Sequence, residues 1–320
     1  MSILRKRNVK FNEEEKKSKP SIIKKVQFAL GSVIFKRREN SNILRIEQMS
    51  VIPYIIAFVV FLAMSRYLVE YIHHISDDGV IASQEDQYTR LFVEVPCSND
   101  YDKQFKQCTP KKCGRVIRDN LFEKDQLEHM KSIAKKGMKY GGGSGGATIL
   151  DLHSGALSYK DKFANLYKME KNVFSERDFK IYANVKNRIL ETIADEFDIK
   201  RERLYLTKPT FFSRIDNRPA VALHDEYWHP HVDRETYGTF YYTALLYLSD
   251  YDVDFTGGRF LFTDKHVNKS VEPRFGRLSF FTSGSENQHF VEKVRSGTRY
   301  AVTVSFTCDK KHGIADPSSL

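Results

Sequence analysis

The run Gln48–Ser65 holds eighteen consecutive uncharged residues, and its centre, Val51–Met64, reads VIPYIIAFVVFLAM. As a helix it would span about 27 Å at about 1.5 Å per residue, near the lower limit for crossing a hydrocarbon core. Arg66 can snorkel outward and Tyr67 can sit at the interface, which extends the helix toward Val69. A signal peptide would begin nearer the N-terminus, and a core helix needs no such unbroken apolar run. The expectation is therefore a single transmembrane signal-anchor helix over residues 48–69. Lys36, Arg37, Arg38 and Arg45 precede it, whereas Glu70, Asp77, Asp78, Glu85 and Asp86 follow Arg66. That asymmetry predicts a cytosolic N-terminus and a type II, single-pass topology. The C-terminal domain is then luminal, in the endoplasmic reticulum or Golgi.

Charge supports the same division. The chain is formally +10, but residues 1–47 hold 13 Lys+Arg against 5 Asp+Glu, which leaves only +2 for everything after them. A nearly neutral remainder has no footprint for a phosphate backbone, so nucleic acid is excluded as an expected partner. The basic tail, residues 24–38 above all, suits the anionic surface of membrane lipid. All four cysteines (Cys97, Cys108, Cys113 and Cys308) lie on the expected luminal side, where disulfides persist. Their spacing is not a zinc pattern, and three pairings are open. Asn268-Lys-Ser270 is a glycosylation sequon.

The remaining chain divides by texture. Residues 70–118 read as a stalk, with mixed charges, Pro96, Pro110 and little periodicity. Residues 119–202 read as a helical support region. Leu127, Met130 and Ile133 recur at threes after a cap at Asp119 or Asn120. Ser175-x-x-Asp178 opens a second helix with a stripe of Tyr182, Val185, Ile189, Ile193 and Phe197. Gly141–Gly146, GGGSGG, lacks the Lys-Ser/Thr of a phosphate loop and reads as a flexible lip. From 203 to 310 the period becomes two, followed by a tail, 311–320. Helices followed by strands predict an α+β fold with an antiparallel barrel or jelly roll.

The two longest strands have distinct faces. Thr239–Leu248 sets Tyr241, Thr243, Leu245 and Tyr247 on one side. Arg299–Cys308 sets Arg299, Ala301, Thr303 and Ser305 on one side. Small hydroxyl residues with a single Arg suit a lined pocket better than a solvent face. His231-Val232-Asp233 places an imidazole and a carboxylate on one side of an extended segment. With the downstream His289 these make a two-His-one-carboxylate triad, which suits Fe(II) and leaves three positions open. His224-Asp225-Glu226 competes less well, and His229 lines the site or its entrance.

Residues 203–310 resemble the catalytic domain of the prolyl 4-hydroxylase-like 2-oxoglutarate/Fe(II) dioxygenases. The resemblance lies in HDEYWHPHVD, TALLYLSDY, TGGRFLFTD, RLSFFTSGSENQHFVEKV and GTRYAVTVSFTCD. It implies a double-stranded β-helix with supporting helices, iron ligands at His231, Asp233 and His289, and Arg299 on the distal carboxylate of 2-oxoglutarate. Thr243 and Tyr247 stand where related enzymes place hydroxyls on that carboxylate. Arg299 replaces the Lys of the collagen-modifying branch, so a collagen-proline substrate is not implied. Expected cosubstrates are O2 and 2-oxoglutarate, with L-ascorbate by analogy. A protein or peptide side chain is the expected substrate, contacted by Tyr227, Trp228 and the Gly141–Gly146 loop. The competing expectation is a catalytically inactive jelly-roll binding module anchored to the membrane; the intact triad and Arg299 argue against it.

Overall fold

The computed structural model describes residues 52–76, 79–101 and 103–317. The basic tail 1–47, the start of the apolar run at 48–51, residues 77, 78 and 102, and the end of the expected tail at 318–320 lie outside the described residues. Two compact units divide at Leu68 and Val69. The apolar run forms helix α1 (Ile52–Ser76), whose window Ile52–Val69 has a mean hydropathy of 2.0 and is 0% buried. An apolar helix with Phe58, Phe61 and Met64 exposed is long enough to cross a membrane and is not packed as a core helix.

The second unit starts with β1 (Val80–Ala82), β2 (Leu91–Val95), β3 (Cys113–Arg118) and α2 (Lys124–Met138). Then come β4 (Gly142–Gly143), β5 (Ala147–Leu150), β6 (Ala156–Lys160), β7 (Lys162–Asn165), α3 (Leu166–Met169) and α4 (Glu176–Glu196). The C-terminal part holds β8 (Tyr205–Asp216), α5 (Asp233–Tyr237), β9 (Tyr242–Tyr247), β10 (Phe255–Gly257) and β11 (Phe260–Phe262). It ends with β12 (Lys269–Val271), β13 (Leu278–Thr282), β14 (His289–Val291) and β15 (Val294–Thr307). Among the described residues the larger sheet runs β2-β3-β13-β9-β15-β8-β5-β6-β4, with β10 on β15 and β7 on β6. The smaller runs β1-β12-β11-β14.

Register aligns the two faces foreseen for the long strands. β15 sets Ala301 opposite Tyr247, Thr303 opposite Leu245 and Ser305 opposite Thr243. This face, with Ile117 and Phe281, meets Phe260, Phe262, Val271 and Ala82 of the smaller sheet in one core. The opposite face carries Tyr242, Ala244, Leu246, Val302, Val304 and Phe306 against Leu127, Met130 and Ile133 of α2 and Tyr182, Val185 and Ile189 of α4. Each buried Val, Leu, Ile, Phe or Met among these contributes about 1.5–3 kcal/mol by leaving water, so Ile189→Ala would cost roughly 2–5 kcal/mol. α4 begins as its capping box requires: the Ser175 N–H donates to Asp178 Oδ2 at 2.7 Å, and Ser175 Oγ accepts from the Asp178 N–H.

Several expectations are corrected. Residues 80–118 are not a stalk: β3 pairs with β13, β2 with β3, and β1 with β12 of the smaller sheet. Asp119 does not cap α2, because its carboxylate pairs with the buried Arg277 at 3.0 Å; the helix starts five residues later. Residues 119–202 contain four strands besides their helices. The Gly141–Gly146 segment is not a free loop. β4 pairs with β6, and a Cβ on Gly145 would lie 2.2 Å from Asp225 Oδ2. Only glycine allows that approach. The described part of the expected tail, residues 311–317, is also tied down, since Asp316 pairs with Lys186 and the Ile314 N–H donates to the Leu206 carbonyl.

The disulfides are Cys97–Cys113 and Cys108–Cys308, one of the three pairings the sequence allows, with Cα separations of 5.1 and 5.6 Å.

Candidate metal centre and carboxylate pocket

His231 and His289 are held by one antiparallel bridge. The His231 N–H donates to the His289 carbonyl at 2.9 Å, and the His289 N–H donates to the His231 carbonyl at 3.0 Å. Val232 is extended (φ −113°, ψ 123°), so His231 and Asp233 turn to one side before α5 begins at Asp233. His231, Asp233 and His289 bring one ligand atom each within 4.8 Å of one another, the one such group of three among the described residues.

The two imidazoles share one tautomeric logic. Nδ1 of His231 lies 3.1 Å from the His229 carbonyl, and Nδ1 of His289 lies 2.8 Å from the Asn287 carbonyl. A carbonyl only accepts, so Nδ1 carries the proton in each and Nε2 keeps its lone pair. Both Nε2 atoms face Asp233 Oδ1, at 3.6 and 3.7 Å. Burial pushes the His289 imidazole toward its neutral, ligating form, against the pull of Asp233. His289 also stacks on Phe260 and packs edge-on to Phe281. Arg115, buried in β3, reaches Asn287 Oδ1 at 2.8 Å and Asp264, bracing the turn that carries His289.

Arg299 lies on the pocket face and is 1% exposed. Its Nε–H donates to the Gly258 carbonyl at 2.9 Å. Gly257 and Gly258 both adopt left-handed φ (67° and 66°), and a Cβ at Gly258 would crowd Phe255, Val294 and Arg299 within 3.2 Å. Among the described residues Nη2 is buried with no hydrogen-bond partner, and so are the hydroxyls of Tyr247, Ser279 and Ser305. The Arg299 guanidinium lies 5.4 Å over the Tyr247 ring. Burial pushes the Tyr247 phenol up to about 12, partly offset by the Arg299 charge, and so keeps its proton. The surface acid that could have claimed Arg299, Glu292, is instead held by Arg259 at 2.8 Å. A buried cation beside unused hydroxyls, with no carboxylate among the described residues paired to it, fits a carboxylate ligand.

The other expected site residues are dispersed. Thr243 Oγ1 donates to Asp233 Oδ2 at 2.6 Å and lies 2.8 Å from Ser283 Oγ. Its single proton is therefore committed, and it has none to give a second carboxylate. His229 is exposed against Glu226 at 3.1 Å, while the His224 side chain lies outside the described residues. Asp225 is a buried anchor that accepts from the Ala147, Val221 and Ala222 N–H groups. The Tyr227 hydroxyl accepts from the Val294 N–H, and Lys293 lies 3.9 Å over the Trp228 ring. Asn268 is exposed between β11 and β12. Ser279, Ser283 and Asn287 went unnoticed in the sequence; only Ser279 carried a signal, through its alternate position in β13.

Residues 219–307 match the family model of the 2OG-Fe(II) oxygenase superfamily. Proteins called 2-oxoglutarate and iron-dependent oxygenase domain-containing protein 3 are similar over most of the chain. That of Xenopus tropicalis is 54% identical over 253 residues (76% of this chain, 80% of the relative), and that of Mus musculus 53% identical over 271 residues (82% and 86%). Prolyl 3-hydroxylase 2 of Homo sapiens is 28% identical over 219 residues, 61% of this chain and 30% of the relative. The donor set suits Fe(II), and the unpaired guanidinium suits the anionic cosubstrate. By this extent of identity the chain belongs to the 2OG-Fe(II) oxygenase superfamily and is a dioxygenase that uses Fe(II), 2-oxoglutarate and O2.

Proposed function

We propose that this dioxygenase is a type II membrane protein hydroxylating a protein side chain in the secretory lumen, with His231, Asp233 and His289 as its iron ligands. The observation that carries the site reading is the buried Arg299 Nη2 without a partner, on the same sheet face as the triad's neighbour Thr243. Held by His231, Asp233 and His289, Fe(II) would supply the chemistry that couples oxidative decarboxylation of 2-oxoglutarate to succinate and CO2, with O2 as oxidant, to hydroxylation of a C–H bond. The protein's own part is orientation. Two Nδ1-protonated imidazoles present Nε2, Asp233 presents Oδ1, and Arg299 with the Tyr247 hydroxyl receives the distal carboxylate. The apolar core between the sheets excludes water behind them. Two facing sheets of eleven and four strands among the described residues, with helices on the outer face of the larger, support a double-stranded β-helix.

The exposed apolar α1, the charge asymmetry around it and the two disulfides support the anchored, luminal reading. Asn268 is exposed and available for glycosylation in that orientation. Ascorbate, as the reductant that keeps iron ferrous, belongs to the same reading. The test is to incubate the full-length protein in detergent with a peptide library, Fe(II), 2-oxoglutarate and ascorbate. A peptide that gains one oxygen atom in proportion to succinate supports the substrate class, and persistent succinate formation with free amino acids but no peptide contradicts it. In intact vesicles, protease that removed the C-terminal domain would reverse the topology.

A further inference from the structure

Asp233 presents two unequal oxygens. Oδ1 is shared between the two imidazole Nε2 atoms, at 3.6 and 3.7 Å. Oδ2 instead accepts the 2.6 Å hydrogen bond from Thr243 Oγ1. A threonine hydroxyl has one proton, and this bond consumes it. Ser283 Oγ, 2.8 Å from the same oxygen, must then point its own proton at Thr243. Asp233, Thr243 and Ser283 are all buried, so no bulk water competes for these sites. The result is a one-way donor chain from Ser283 through Thr243 to Asp233.

The backbone fixes each member. Thr243 sits inside β9, opposite Phe281 on one side and Ser305 on the other. The Ser283 N–H donates to the Tyr241 carbonyl at 3.0 Å, and the Arg234 N–H donates to the Ser283 carbonyl at 3.0 Å. Ser283 is therefore tied both to the strand that carries Thr243 and to the residue that follows Asp233.

We infer that Thr243 and Ser283 are positioning residues that hold Asp233 as a one-oxygen ligand. This rests on the reading of His231, Asp233 and His289 as the metal site. An ion with six positions and three protein donors keeps three free, the number needed by a two-point cosubstrate plus O2. A carboxylate that swung to offer both oxygens would take one of them. The hydroxyl chain opposes that swing by engaging Oδ2. Outer partners of this kind typically change metal affinity by about 10–100-fold when removed. The role also separates Thr243 from Arg299, which acts on the cosubstrate and not on the metal ligand.

The test uses full-length protein in detergent, loaded with Co(II) without turnover and followed by its absorption spectrum. The wild type is expected to bind one Co(II), and T243V and S283A to bind it about 10–100-fold more weakly with an altered band pattern. T243S keeps the donor hydroxyl and is expected to restore the wild-type spectrum. Should T243V not fold, S283A and T243S carry the same comparison. Wild-type Co(II) affinity and spectrum in both T243V and S283A would overturn the inference. So would a T243V protein that keeps the metal unchanged but loses 2-oxoglutarate affinity, since Thr243 would then act on the cosubstrate. If H231A bound Co(II) as tightly as wild type, the triad reading itself would fail, and the inference with it.

Discussion

The Arg299 Nε–H is pinned to the Gly258 carbonyl at 2.9 Å while Nη2 of the same guanidinium is buried and unpaired. One edge of the fork is used to aim the other. Truncating one partner of a desolvated charge pair costs roughly 3–5 kcal/mol, or about two to three and a half orders of magnitude in affinity. Arg299→Ala is expected to raise the 2-oxoglutarate requirement by that factor with Fe(II) affinity nearly unchanged, measured by cosubstrate and metal titrations. Arg299→Lys recovers only part, because a point charge cannot replace both the Gly258 contact and the free edge.

The two histidines differ in what else they do. The His231 side chain is 38% exposed, so His231→Ala should lose metal while its melting temperature barely moves. His289 is packed among Phe260, Phe262 and Phe281, so His289→Ala should lose metal and also roughly 2–4 kcal/mol of stability to the cavity. Metal analysis alongside thermal melting of the metal-free proteins separates the two effects.

Asp178 makes the helical layer sensitive to acid. Burial would push its carboxyl up, but Lys136, the N–H and hydroxyl of Ser175, and His129 bring it down to about 2. A depressed folded value means the stabilisation is complete above the unfolded value near 3.8 and is lost as pH falls toward about 2. It is worth about 2 kcal/mol. Asp178→Asn should be less stable than wild type at pH 7 by about that amount, with the gap closing between about pH 4 and 2 in denaturant melts.

The Cys108–Cys308 bond links residues 200 apart and ties the end of β15 to the segment before β3. Removing such a link typically costs roughly 2–5 kcal/mol, chiefly by freeing the unfolded chain. Reduction, or the Cys108→Ala/Cys308→Ala pair, should lower the melting temperature. The Cys97–Cys113 bond closes a loop of 16 residues and should contribute less.

The legible parts of the fold were those with a period. The stripe of α4, its capping box and the alternating faces of β9 and β15 each express one repeating environment, and the His-x-Asp triplet works through local geometry. The strands before residue 119 were illegible because their decisive residues look like surface charges. Arg115 and Arg277 are among the largest fully buried side chains, and their partners Asp264 and Asp119 lie some 150 residues away in sequence. Thr243 is legible by its strand position and by the family resemblance. Position gave the correct face, but not which carboxylate takes the proton, because Ser283 comes from a turn forty residues downstream. Gly145 read as flexibility until Asp225 supplied the reason for a missing side chain.

The central claim is that one pocket holds the metal on His231, Asp233 and His289 and the cosubstrate on Arg299. Its most direct measurement is succinate formation by the full-length protein as Fe(II) and 2-oxoglutarate are varied independently, in wild type, His231→Ala and Arg299→Ala. The account predicts wild-type turnover that needs both, no turnover in His231→Ala at any iron concentration, and turnover in Arg299→Ala that returns only at 2-oxoglutarate concentrations about a hundredfold or more above those of wild type. Wild-type dependence on both in either variant would contradict it.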